Sequence, residues 1–321
     1  MIELAGQKGD VTHLAFAPNG RVVAASGGGR GLELWEIPSG NNWGRYERGP
    51  RFVDGSIAFH PTESACFGSC GNSVGEIETD TKKARIITIH GQGITYFGET
   101  SMVPDGSGFV SHCNADWLRD GTFFHLHWKR GDTLRVAWEL RLDSTARRAP
   151  RVPQPQVIRV SPDGTTFVTL DASYGLARRP VPRIVRVAVR STSNGELLRW
   201  TAIPASTRKD LTISPSAREF VTCHTNNLTV WNADDLEARP QRVQNDTRSN
   251  FTGIAFHPSG KYLAATSNDQ TVKLYDTTTW QVAKTFTWEI GRMRSVAFSP
   301  DGTLAAAGSD TGKVVVWDVD L

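Results

Sequence analysis

The chain has 321 residues, 39% of them hydrophobic, and a formal net charge of +3. That is enough apolar content for one large all-β domain or two ordinary ones. No run approaches the ~20 apolar residues of a membrane helix, and the first ten residues lack the basic start and apolar stretch of a secretion signal. Four cysteines, Cys66, Cys70, Cys113 and Cys223, all sit in apolar runs as small buried hydrophobes. The expectation is a reducing, cytoplasmic setting.

Residues 2–5 form a short apolar strand, and from Val11 onward one pattern repeats. An apolar strand leads into a turn built on a proline, a second apolar strand follows, then a polar turn and a third strand. The turn prolines are Pro18, Pro61, Pro104, Pro162, Pro215, Pro258 and Pro300, separated by 43, 43, 58, 53, 43 and 42 residues. Pro300 presets φ for a type I turn, and Gly302 can take the left-handed conformation that lets the hairpin continue. The third strands of several units end in an aromatic-polar pair: Trp35–Glu36, Trp231–Asn232, Tyr275–Asp276 and Trp317–Asp318. Seven units follow, at 11–54, 55–95, 96–155, 156–209, 210–250, 251–292 and 293–321 plus 1–6. Their period suits a four-stranded blade of ~40–45 residues.

These residues carry a resemblance. GIAFHPSGKYLAATSNDQTVKLYD in unit six and SVAFSPDGTLAAAGSDTGKVVVWD in unit seven are similar to the repeat of the WD-repeat β-propeller family. Units two, three and four are degenerate, and Trp317–Asp318 is the strict dipeptide. The resemblance implies an all-β, seven-bladed propeller of four-stranded antiparallel blades, forming one domain. The Gly-His pair that the family places before the first strand is missing; Gln7 stands in the His place, while Asp269 and Asp310 remain candidate turn aspartates. The last unit lacks a fourth strand and the chain begins with a spare one, so residues 2–5 are expected to close the ring as the outer strand of the last blade.

The irregular units hold the functional signal. Residues 114–121 and 172–182 lie between second and third strands, and 141–156 links units three and four. In a propeller these connections emerge on one face; a smaller excess at 190–196 falls on the other. From residue 141 to 190 there are ten arginines against three aspartates, a net of +7. Arg147, Arg148, Arg151, Arg178 and Arg179 are loop candidates, whereas Arg159, Arg186 and Arg190 fall on strands. Prolines 150, 153, 155, 180 and 182 are expected to stiffen those loops. Arginine forks match carboxylate or phosphate, and Trp117 and Tyr174 offer apolar anchors beside Asp116. A solvated surface is the bland alternative.

Other motifs weigh less. His125 and His127 share a strand face and could hold a metal with His112 or Cys113, but packed strand histidines are the commoner case. Asp116 and Asp120 are paired carboxylates without a defined cleft. The glycines at 27–29 have no following helix to cradle phosphate, and no catalytic signature is present. Neither cofactor nor metal is expected. Nucleic acid is disfavoured because no aromatic-interleaved platform accompanies the arginines.

The expected function is a non-catalytic, monomeric protein-interaction platform binding an acidic or phosphorylated partner over units three and four. This rests on the resemblance and on the lack of catalytic motifs. One alternative is a propeller enzyme whose central channel gathers His112, His224 and Asp171; another is a sensor or adaptor in bacterial signalling.

Overall fold

All 28 strands of the described residues pair into seven four-stranded antiparallel sheets. The structure, a computed structural model, describes residues 1–4, 9–27, 31–46, 56–70, 73–87, 96–116, 120–131, 134–142, 154–174, 182–203 and 209–320. The first strands of successive sheets are neighbours around a ring, the seventh lying beside the first. This is a seven-bladed β-propeller, and the strands of each blade are lettered a to d from the channel outward. Strands a are Val11–Phe16, Ile57–Phe59, Tyr96–Met102, Gln154–Val160, Lys209–Ile213, Phe251–Phe256 and Met293–Phe298.

Local chemistry makes the hairpins. In blade seven the Gly302 amide donates to the Ser299 carbonyl at 2.9 Å, and Asp301 accepts from the Thr303 amide and hydroxyl. Blade four repeats the arrangement with Ser161, Asp163, Gly164 and Thr165. The aromatic residue that ends strand c is buried in each of Trp35, Trp231, Tyr275 and Trp317. The polar residue after it starts the outer turn: Asp276 accepts the amides of Thr278 and Thr279, both at 2.9 Å. One residue thus anchors the blade and the next turns the chain.

The ring closes as expected. Ile2–Leu4 pairs antiparallel with Val314–Asp318, in the register Ile2↔Val316, Glu3↔Val315 and Leu4↔Val314. Leu4 is buried in a cluster with Val11, Trp35, Ala306, Val314 and Val316, which joins the last blade to the first.

Blades are also stitched at their turns. His60 Nε2 donates to the Gly106 carbonyl of the next blade at 2.9 Å while its Nδ1 accepts the Glu63 amide. His257 repeats the stitch from blade six to Gly302 at 3.0 Å. Both glycines have φ of +76°, and a Cβ there would lie within 2.6 Å of the histidine ring.

Other groups stand where the missing Gly-His pair would act. In blade six the buried Lys273 ammonium donates to Asn245 Oδ1 at 2.7 Å and pairs with Asp246, while Asp269 accepts from Thr271 and Thr247. In blade seven Asp310 accepts the Arg292 amide and pairs with Arg294, which also reaches Asp10 and Asn268. Both turn aspartates are therefore held, by cations instead of an imidazole.

Two expectations need correction. The excess between strands b and c of blades three and four extends the strands, which run Gly108–Asp116 with Asp120–His127 and Thr166–Tyr174 with Pro182–Ser191. Pro155 and Pro182 accordingly lie in strands. Pro182 is the first residue of its strand, where a missing amide proton is tolerated, and Pro155 stands at a register shift. The other three prolines lie outside the described residues.

Gly106→Ala and Gly302→Ala should each cost about 2–4 kcal/mol, combining left-handed strain with the clash against the histidine. Gly20, at φ +68° with nothing within 4 Å, should cost only about 1 kcal/mol as Ala. Urea unfolding of the three variants measures the difference.

Candidate functional site

Ionisable side chains five or three residues ahead of the turn prolines share a strand face and point into the channel. His13, Glu99 and Asp210 stand at the first spacing and Arg159 at the second. His13 Nε2 of blade one lies 3.3 Å from Glu99 of blade three. Arg159 of blade four bridges Glu99 at 3.1 Å and Asp210 of blade five at 3.3 Å. Asp210 also accepts the Ile254 amide of blade six at 3.1 Å. A chain of paired ionisable groups thus crosses the lumen and borders a cavity of about 660 Å³.

The electrostatics follow from that order. Burial would raise the Glu99 carboxyl, but the His13 hydrogen bond and the Arg159 charge outweigh it and hold the group below the usual carboxylate range. Burial likewise works against the charged form of Arg159, and Glu99 and Asp210 reverse it, so the guanidinium is held more firmly charged. None of these residues was singled out as a channel group by the sequence reading, although the shared spacing from the turn proline was available to find them.

The residues considered for an enzyme do not meet in the channel. His112, Asp171 and His224 belong to strands b, and none lines the cavity. Buried His112 packs edge-on against Phe123, and burial pushes its imidazole down to about 4. Buried Asp171 is pushed up by burial against the pull of Arg186, whose Nε donates to it at 2.8 Å. His125 and His127 lie with ring centres 5.1 Å apart. Among the described residues no group of three or more His, Cys, Asp or Glu side chains has metal-binding geometry.

The strands beneath the arginine-rich loops are distinctive. Strands b of blades three and four have nine residues each, against six in the other five blades. Their outermost rungs are Asp116↔Asp120 and Tyr174↔Pro182. Antiparallel order puts the ends of both b–c hairpins on one face. The backbones of Asp116 and Tyr174 end these strands; Trp117, Arg147, Arg148, Arg151, Arg178 and Arg179 lie outside the described residues. Three strand arginines turn inward: Arg159 to the channel, Arg186 to Asp171, and buried Arg190 to the Gly195 carbonyl at 3.0 Å.

The family model described as WD domain, G-beta repeat matches residues 1–36, 239–276 and 281–318. Echinoderm microtubule-associated protein-like 2 of Homo sapiens is 33% identical over 111 residues, 34% of this chain and 17% of that protein. Cleavage stimulation factor subunit 50 of Arabidopsis thaliana is 26% identical over 166 residues, 50% of this chain and 38% of that protein. The matches therefore span less than half the length of these relatives. Among solved structures, hydrazine synthase of Kuenenia stuttgartiensis superposes with a TM-score of 0.76 over 99% of this chain and 97% of its own, at 16% identity. That likeness is one of fold alone.

Arg159→Leu would strand two carboxylates in the lumen and should destabilise the chain by about 3 kcal/mol at neutral pH. In the wild type Glu99 has a depressed folded pKa, so its contribution is present above the ordinary carboxylate value and lost as pH falls through the depressed one. The variant should invert this and lose less stability on acidification, which denaturant unfolding at pH 7 and pH 4 will read. His112 is held neutral, so between its ordinary value near 6.5 and about 4 the unfolded chain binds the extra proton. Stability falls across that window, and a His112→Phe variant that still folds should show a shallower fall.

Proposed function

We propose that this chain, a member of the WD-repeat β-propeller family, is a non-catalytic platform for protein–protein interaction. The observation that carries the reading is the pair of adjacent blades whose b–c hairpins are built longer than the rest and aim at one face. A rigid ring displaying extended hairpins offers a preformed surface, with little ordering entropy lost on binding. Two of the similar proteins are named for association, one with microtubules and one as a subunit of a larger factor.

On this reading the partner is a protein or peptide with acidic or phosphorylated groups, met by Arg147, Arg148, Arg151, Arg178 and Arg179. Trp117 and Tyr174 supply apolar contact beside Asp116. The local excess of +7 in residues 141–190 would steer such a partner in solution. An active site in the channel is the rival, favoured by the cavity of about 660 Å³. Against it, the carboxylates and Arg159 there are committed to one another.

The test is an affinity pull-down with the wild type and a variant carrying Ser at the five arginines, followed by association rates for the captured protein. The variant should associate about tenfold more slowly at low salt, and raising the salt should erase the difference. Binding indifferent to both salt and substitution would remove the acidic-partner reading.

A further inference from the structure

The seam between blades three and four differs from the others at its outer rim. Its core cluster has four buried residues, Val110, Phe123, Ile158 and Phe167, whereas every other seam among the described residues has seven or more. At the rim between blades six and seven, Phe286, Trp288 and Trp317 stack with ring centres 4.6 to 5.8 Å apart and fill the space. Between blades three and four the apolar groups stand open. Of seven large apolar side chains exposed among the described residues, Leu197 and Trp200 lie on the outer strand of blade four on the side facing blade three, Trp200 being 54% exposed.

Register fixes which way they face. Phe167 packs against blade three, and Thr169 and Asp171 alternate onto the same side. Ala188 lies opposite Thr169, and Trp200 opposite Ala188; Arg190 lies opposite Phe167, and Leu197 opposite Arg190. Cross-strand partners share a face, so Trp200 and Leu197 look across the slot toward blade three. There Trp138 and Leu140 form the facing wall, with Trp138 tied to the Thr192 carbonyl at 2.7 Å.

The floor of the slot carries a surplus of positive charge. Arg186 holds Asp171 at 2.8 Å and its guanidinium lies 5.9 Å from the Trp200 ring. Arg190, 3% exposed, lies 5.0 Å over the Phe123 ring, and among the described residues it hydrogen-bonds the Gly195 carbonyl. Its Nε and the second oxygen of Asp171 have no partner. Among the described residues one carboxylate, paired with Arg186, thus stands against two guanidinium groups beside apolar surface, a setting that favours an incoming anion.

We propose that this slot docks a segment of a partner protein in which an aromatic or branched apolar residue stands beside an acidic one. The apolar residue sits between Trp200 and the blade-three wall, and the carboxylate is drawn to Arg186 and Arg190. The inference rests on the interaction-platform reading and adds a second, rim-facing contact to it.

The probe is an acetylated peptide alternating Glu and Leu with one central Phe, compared with its Lys-for-Glu counterpart. Titrated into the full chain, the acidic peptide should shift the Trp200 indole N–H resonance, and the Lys peptide should not. Trp200→Ala, a change at an exposed position, should weaken the acidic peptide at least tenfold while leaving the unfolding midpoint in place. An unshifted Trp200, equal binding by Trp200→Ala, or equal binding of the Lys peptide would each overturn the proposal. So would self-association by sedimentation that Trp200→Ala abolishes, since the slot would then take a second copy of this chain. If pulled-down partners keep their dependence on the loop arginines while Trp200→Ala has no effect, the slot fails and the platform reading stands.

Discussion

The structure depends on three backbone rungs, Ile2↔Val316, Glu3↔Val315 and Leu4↔Val314. A ring of separate sheets has no hydrogen-bonded ladder from blade to blade; neighbours meet through side chains. The last blade alone is assembled from both ends of the chain. Its closure places Leu4 in the cluster that holds Val11 and Trp35 of blade one, so the seventh seam gains an apolar core of its own. It also turns the radial stack into a closed circle, in which no blade leaves without breaking two seams.

With the circle closed, the remaining differences are chemical. The lumen gathers His13, Glu99, Arg159 and Asp210 from four blades and satisfies them against one another. Charge there works as a set of struts between blades. At the rim of blades three and four the balance goes the other way: the apolar core is thin, Arg190 has no carboxylate partner among the described residues, and Trp200 is open. The same two blades carry the long hairpins, so the irregularity of the ring is concentrated on one side.

Much of the fold was legible because each unit repeats a local rule. A proline in every unit, followed two residues on by glycine in five of the seven, set the a–b turn, and in four units a terminal aromatic-polar pair set the c–d turn. The spare strand at the start and the missing one at the end identified the closure by counting. Less legible were features that depend on neighbours in space. The b–c excesses in blades three and four looked like loops because turn residues interrupt their apolar pattern; pairing across the hairpin carries the strands through Asp116 and Pro182. The absent Gly-His pair concealed Lys273 and Arg294, whose long stems bring a charge to the turn aspartates from a different strand position. The channel struts join residues as far apart in sequence as His13 and Glu99, and only the ring brings them together.

The most direct measurement is amide hydrogen exchange at Leu4 and, across the rungs, at Val314 and Val316, whose amides face each other between the two strands. A ring locked by this strand predicts protection at these amides approaching that of the buried b strands, lost together with them as denaturant is added. Rapid exchange at Leu4, Val314 and Val316, with strand b of the same blade still protected, would show the beginning of the chain detached and the circle held by other means.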